Sequence, residues 1–158
     1  MTIVYIGLGS NLDNPVTQIN TAFDELGRIT NTKLLVKSSL YKSPPYGPPD
    51  QPDFINAVAK LDTTLSACKL LEILQDIEHQ HGRQRTRHWG PRTLDLDMLL
   101  YGKQKMRTEK LTIPHPGIGS RHFVLFPLME IDDDIEIPEL GNVSELFVKL
   151  GVDAPDII

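Results

Sequence analysis

Apolar residues recur along this chain with two different periods, and the changes of period mark its elements. Residues 3–8 form an almost continuous apolar run that reads as a buried strand. Asn14-Pro15 then supplies a helix start with proline at the first helical position. Val16, Ile19, Phe23 and Leu26 make one apolar stripe, and Gly27 ends it. Residues 33–41 predict a second strand. Residues 54–61 alternate as a third, with Phe54, Asn56 and Val58 on one face. Between them, SPPYGPPDQP (43–52) is unsuited to regular structure, because each proline removes a donor and restricts its predecessor. Ser66 can cap a second helix with the stripe Leu70, Leu74 and Ile77, ending before Gly82. A further strand over 93–101 lies between Gly90-Pro91 and Gly102. After it come a hairpin return around 103–113, a shorter helix over 120–129 and a last helix over 144–150. Strands mixed with helices and joined partly by short returns predict one domain over 1–158. Its class is a compact α+β or α/β sandwich with a mostly antiparallel central sheet flanked by helices.

The strand over 93–101 carries charge where water should be scarce. Alternation puts Leu94, Leu96, Met98 and Leu100 on one face. Asp95 and Asp97 share the other, with Thr93 at one end and Leu99 and Tyr101 at the other. The two aspartate Cα atoms are expected about 7 Å apart, within reach of a common cation. Like charges this close raise each other's pKa unless something positive lies between them. Taken alone, the stretch fits an edge strand with a wet face and a metal site equally well.

Composition narrows the field only modestly. The chain has 158 residues, enough for a substantial core, and is 40% apolar and 23% charged, as globular proteins are. A net charge of −5 and a pI near 5.5 argue against a general nucleic-acid binder. Cys68 is the only cysteine, which excludes an intrachain disulfide or a cysteine-built zinc site; it reads as a small buried hydrophobe at a helix start. No apolar run approaches membrane-spanning length. The N-terminus begins on strand-like TIVYIGLG rather than a signal peptide, so a soluble cytoplasmic protein without a membrane partner is expected.

Local charge says more than the total. Arginines at 83, 85, 87 and 92 flank His88 and Trp89, immediately before the paired aspartates. A charge run is usually a solvated face, but arginine presents a planar fork suited to phosphate oxygens. Guanidiniums beside carboxylates able to hold Mg²⁺ make up the usual equipment of polyphosphate chemistry, which favours phosphate binding here. A second polar group lies in LTIPHPGIGSRHF (111–123), where His115 sits between two prolines and Lys110 and Arg121 are near in sequence. Gly7-Leu8-Gly9 lacks the remainder of a dinucleotide fingerprint or a P-loop, and its glycines are read as letting a strand turn tightly. His79 and His81 are two apart on a helix end and do not face each other as ligands would. Gly9-Ser10 with a later D-x-D is similar to polymerase-β-like nucleotidyltransferases, but there the two elements are close neighbours.

Four segments together resemble the 6-hydroxymethyl-7,8-dihydropterin pyrophosphokinase family of folate biosynthesis: YIGLGSNL (5–12), SSLYKSPPYGPPDQPDFINAV (38–58), HWGPRTLDLDMLLYG (88–102) and LTIPHPGIGSRHFVLFPL (111–128). They run in order from the start of the chain to about residue 131. The resemblance implies a ferredoxin-like sandwich that moves the β,γ-diphosphate of ATP onto the pterin hydroxymethyl oxygen, leaving AMP. It implies two Mg²⁺ ions on Asp95 and Asp97, with Arg83, Arg85 and Arg92 completing the catalytic set. The pterin would meet Ser43, Pro44, Tyr46, Phe54, Asn56, Trp89 and Phe123, its ring between Phe54 and Phe123 and its polar edge on Asn56. ATP would meet Gln75, Glu78, Arg85, Trp89, Arg92, Met98, Lys110, Thr112, His115 and Arg121. Trp89 would ride on a mobile 83–92 loop that closes over both substrates. The chain departs from the family's pattern at His88, where an arginine precedes the tryptophan, at Lys110 in place of arginine, and at Phe54 in place of a frequent tyrosine. A monomer is expected. The rival readings are another Mg²⁺-dependent nucleotidyl or phosphoryl transferase and a non-catalytic ferredoxin-like binding module.

Overall fold

Alternation along the first strand decides the layering. β1 (Thr2–Ser10) sends Val4, Ile6 and Leu8 to one face of the sheet, and Tyr5, Gly7 and Gly9 therefore fall on the other. The computed structural model of the protein describes residues 1–44, 50–82 and 93–158. Against the Val4 face pack α1 (Pro15–Gly27) and α2 (Ala67–Gln80), through Ile19, Phe23 and Leu26 and through Leu70, Leu74 and Ile77. Both helices begin as their sequences ask. Pro15 opens the first, and the Ser66 hydroxyl accepts from the Lys69 amide at 3.2 Å to cap the second. Val16 is exposed, so the buried stripe of α1 is completed by Ala22 instead. On the Tyr5 face lie α3 (His122–Ile131) and α4 (Val143–Leu150), joined to Val58, Leu99 and Leu100 by Val124, Leu125, Leu128 and Val143.

The sheet is built from β1, β2 (Thr32–Lys37), β3 (Tyr41–Ser43), β4 (Phe54–Thr63), β5 (Asp95–Tyr101) and the C-terminal β10 (Asp156–Ile157). Its order is β10-β3-β4-β1-β5, with β2 also on β4, and every pairing among the described residues is antiparallel. The four longer strands thus run β5-β1-β4-β2, which interleaves two β-α-β units with both helices on one face: the ferredoxin-like sandwich expected. No helix among the described residues is long and apolar enough to cross a membrane.

Three local expectations change. The strand predicted over 33–41 is two strands, because the chain leaves the β4 ladder at Ser38. There its amide donates to Val58 O at 2.9 Å and its hydroxyl accepts from Val58 N at 2.8 Å. Cys68 is exposed rather than buried, lying off the Leu70 stripe of α2. The hairpin over 103–113 forms as expected, with β6 (Met106–Arg107) and β7 (Thr112–Ile113) making a small sheet of their own. Past residue 131, β8 (Glu136–Ile137) and β9 (Gly141–Asn142) make another hairpin, and the Asn142 side chain caps α4.

The third change lies in β5. Tyr5 faces Leu100 and Ile6 faces Met98, so Leu99 is an extra residue in a bulge. Leu94, Leu96 and Met98 pack toward α1 and α2 as alternation predicts. Beyond the bulge the phase inverts: Leu100 joins the α3–α4 side and Tyr101 crosses to the other.

Candidate active site

Toward one end of the sheet, the Tyr5 face changes from core to cleft. The register aligns Asn56, Gly9 and Asp95 in one row across β4, β1 and β5, and Val58, Gly7 and Asp97 in another. Neither glycine has a side chain, so the floor between Asn56 and the aspartates is bare backbone. A Cβ on Gly9 would stand 3.4 Å from Asn56 Oδ1 and 4.0 Å from Asp95 Cβ. One on Gly7 would stand 3.4 Å from the Leu99 side chain. The resulting cleft opens to solvent. Its walls bring Ser43, Pro44, Phe54, Asn56, Asp95, Asp97, His115, Arg121 and Phe123 together, with Leu99 and Val124 closing the base.

Asn56 is buried, and its side-chain amide donates to the Ser43 hydroxyl at 2.7 Å. That bond orients the Asn56 side chain, a role for Ser43 beyond its main-chain groups. Asp95 and Asp97 are half-buried, and alternation points both into the cleft. Facing them is the turn before α3. The His115 amide donates to Leu99 O at 3.0 Å, and its Nδ1 accepts from the Gly117 amide at 3.1 Å. With Nδ1 an acceptor, the neutral ring carries its proton on Nε2, which stands 3.9 Å from Asp97 Oδ2. Burial and then the Arg121 guanidinium pull the His115 pKa below the ordinary histidine value, only partly offset by Asp95. The contact with Asp97 is therefore that of a neutral imidazole near pH 7. Arg121 lies across Gly117, where a Cβ would meet its Nε at 2.4 Å, so only glycine there leaves the guanidinium its present position.

The nucleotide-side candidates are more scattered. Thr112 lies on β7 in a second, wider groove with Lys105, Arg107 and Glu139, and His115 lines both depressions. Lys110 is exposed on the hairpin, and Gln75 is exposed on α2. Met98 faces the opposite side of the sheet, in the core. Glu78 is buried and accepts from the Leu96 amide at 2.7 Å. Tyr46, Arg83, Arg85, Trp89 and Arg92 lie outside the described residues, as does the expected closing loop. Gly7 and Gly9, expected at a tight turn, instead lie within the continuous strand β1 and form the floor. Their signal was parity: they share the face of Tyr5, opposite the apolar Val4, Ile6 and Leu8.

A group of three carboxylates close enough to share a metal lies elsewhere, at Asp132, Asp133 and Asp134. Asp132 there accepts from the Tyr5 hydroxyl at 2.9 Å and pairs with Lys60 at 3.6 Å, which ties α3 to the sheet. Its neighbourhood raises the Tyr5 pKa strongly, by burial first and then by the bond to Asp132.

Comparison with known proteins agrees with this architecture. A protein named 2-amino-4-hydroxy-6-hydroxymethyldihydropteridine pyrophosphokinase from Haemophilus influenzae is 51% identical over 146 residues, covering 92% of this chain and 91% of its own. One of the same name from Pseudomonas aeruginosa is 48% identical over 143 residues, covering 90% and 88%. Among solved structures, Plasmodium falciparum HPPK-DHPS with pteroate superposes with a TM-score of 0.76 at 14% identity. It matches 94% of this chain, which spans 42% of that longer one, and supports the fold alone. The model of the family described as 7,8-dihydro-6-hydroxymethylpterin-pyrophosphokinase (HPPK) matches residues 5–133, and the chain belongs to that family.

Proposed function

We propose that this protein transfers the β,γ-diphosphate of ATP to the hydroxymethyl group of 6-hydroxymethyl-7,8-dihydropterin. In that reaction the hydroxymethyl oxygen bonds to the β-phosphorus. The bond from that phosphorus to the α,β-bridging oxygen breaks, and AMP leaves while the hydroxyl proton is released. The observation that carries the reading is the row Asn56–Gly9–Asp95: a polar side chain and a carboxylate pair at opposite ends of a bare floor, in one cleft.

Each end suits a different part of the reactants. Asn56, held by Ser43, would present fixed hydrogen-bonding groups to the pterin's polar edge, with Phe54 and Phe123 offering aromatic faces to its ring. Pro44 would bound the same pocket. At the other end, His115 through Nε2–H and Arg121 through its guanidinium would hold phosphate oxygens. Thr112 and Lys110 on the hairpin, and Gln75 and Met98 around α2 and β5, are assigned to the nucleotide side. Tyr46 and Trp89 are assigned to the pterin, and Arg83, Arg85 and Arg92 to phosphate, on sequence alone.

The donor set fits Mg²⁺, a hard cation that takes one or two carboxylates and leaves its other positions to water and phosphate. Asp95 and Asp97 would hold two such ions, which when bound neutralise charge on the transferring phosphates. The arginines and His115 orient the same oxygens and help exclude water as the reactants meet. A monomer working in the cytoplasm completes the proposal.

Incubation with ATP, Mg²⁺ and the pterin, followed by nucleotide chromatography, tests it. AMP and the pterin diphosphate are expected in equal amounts. ADP as the nucleotide product would point to a different phosphoryl transferase, and unconsumed ATP under every condition to a binding module.

A further inference from the structure

The proposed reaction gives Asp95 and Asp97 a task without saying what keeps an edge strand in place beneath them. Among the described residues β5 pairs only with β1, so its outward main-chain groups lack a strand partner. Leu96 sits between the two aspartates, and its amide turns outward to donate to Glu78 Oε2 at 2.7 Å. Glu78 comes from the last turns of α2 and is only 6% exposed. A carboxylate buried this deeply needs donors to compensate its lost hydration, and one of them here is a backbone amide of the aspartate strand. The support is itself anchored. His81, capping α2, meets the Gln18 side chain through Nδ1 and the Glu25 carboxylate through Nε2, which ties this end of α2 to α1.

We propose that Glu78 is a positioning residue for the Asp95–Asp97 pair. Its carboxylate clamps the Leu96 amide, and so sets the height and twist of the strand from which both aspartates project. The proposal rests on the reading of that pair as cation ligands, and it replaces a direct role for Glu78 on the nucleotide. What the clamp requires is an acceptor at the right reach. A buried amide that loses its acceptor is strongly disfavoured, so the strand would shift to find another. Groups that orient metal ligands without touching the metal typically set affinity by about ten- to a hundredfold.

Two conservative variants separate reach from charge. Glu78→Gln keeps an acceptor oxygen at the same length and drops the charge. Glu78→Asp keeps the charge and withdraws it by one methylene. Leu96 amide exchange, read by NMR in ligand-free protein, should accelerate about tenfold or more in Glu78→Asp. In the same variant Mn²⁺ affinity in the presence of ATP should fall about tenfold, and the Mg²⁺ concentration for half-maximal turnover should rise to match. Pterin affinity should not change. Glu78→Gln should stay within about threefold of wild type in every readout. The reverse order, with Glu78→Asp intact and Glu78→Gln impaired, would overturn the clamp and assign the carboxylate's charge directly to the reactants. Impaired turnover in both variants with Leu96 exchange unaltered would overturn it as well. Because exchange is measured without ligand, it decides the clamp even if wild-type protein makes no AMP.

Discussion

The two faces of the central sheet meet different demands from the same strands. On the side of α1 and α2, β1, β4 and β5 contribute Val4, Ile6, Leu8, Ile55, Ala57, Leu61, Leu96 and Met98 to one continuous core. On the side of α3 and α4, the same strands begin as core at Tyr5, Val58 and Leu100, then give way to Gly7, Gly9, Phe54, Asn56, Asp95 and Asp97 around a cleft. One face is closed packing along its whole length; the other is packed over half and open over the rest. Stability and chemistry are thus assigned to opposite parities of the same strands. Substitutions on the two faces should therefore fail in different ways.

The largest effect is expected on the open face. Asp95→Asn and Asp97→Asn should each lower turnover by about a hundred- to a thousandfold, since a carboxylate proposed to hold Mg²⁺ beside the transferring phosphates is lost. Their melting temperatures should match or slightly exceed wild type, because one like charge of a close pair is gone. Wild-type turnover in either variant would remove the pair from the site. On the packed face, Leu70→Ala should lower unfolding free energy by about 3 kcal/mol while pterin affinity holds, as denaturant titration and calorimetry can check. A specific loss of pterin binding without destabilisation would break the division between faces.

A smaller effect sharpens the role of the floor. Gly9→Val puts branched carbon between Asn56 and Asp95 at a site where the first added carbon meets nothing closer than 3.4 Å. Stability should change by no more than about 1 kcal/mol, while pterin affinity falls about tenfold as the cleft fills. The smallest effect concerns Gly117→Ala, whose Cβ would displace the Arg121 guanidinium. ATP affinity should drop about fivefold with pterin affinity unchanged, the scale of one partly exposed charge contact. If ATP binding is indifferent to that change, Arg121 is not a phosphate ligand.

How much of this was legible depended on whether a feature is local. α1 and α2 were, since Pro15, Ser66 and the Ile19 and Leu70 stripes specify start and buried face within a few residues. The sandwich class followed from the alternation of helices and strands, and Asp95 with Asp97 stood out by violating an apolar pattern. The inverted end of β5 was not legible, because a bulge is set by pairing with β1 and leaves period-2 alternation unbroken on paper. Nor was the split at Ser38, where a side chain supplanted a ladder bond. Residue type alone suggests a turn at Gly7 and Gly9, although both are there for what they lack. The exposure of Cys68 was not legible either, because burial on a helix depends on stripe position more than on residue type.

The row Asn56–Gly9–Asp95 has one more consequence. Two strand separations, about 10 Å, divide its ends, and that interval belongs to main-chain hydrogen bonds rather than to side chains. It acts as a gauge block. Substitution can alter what is recognised at either end, but no single side chain can lengthen or shorten the step between them. Under the proposed function, an acceptor whose hydroxyl is carried one carbon further from the ring would overshoot the phosphates even while its ring bound normally. Selectivity for length is then harder to mutate away than selectivity for the ring itself.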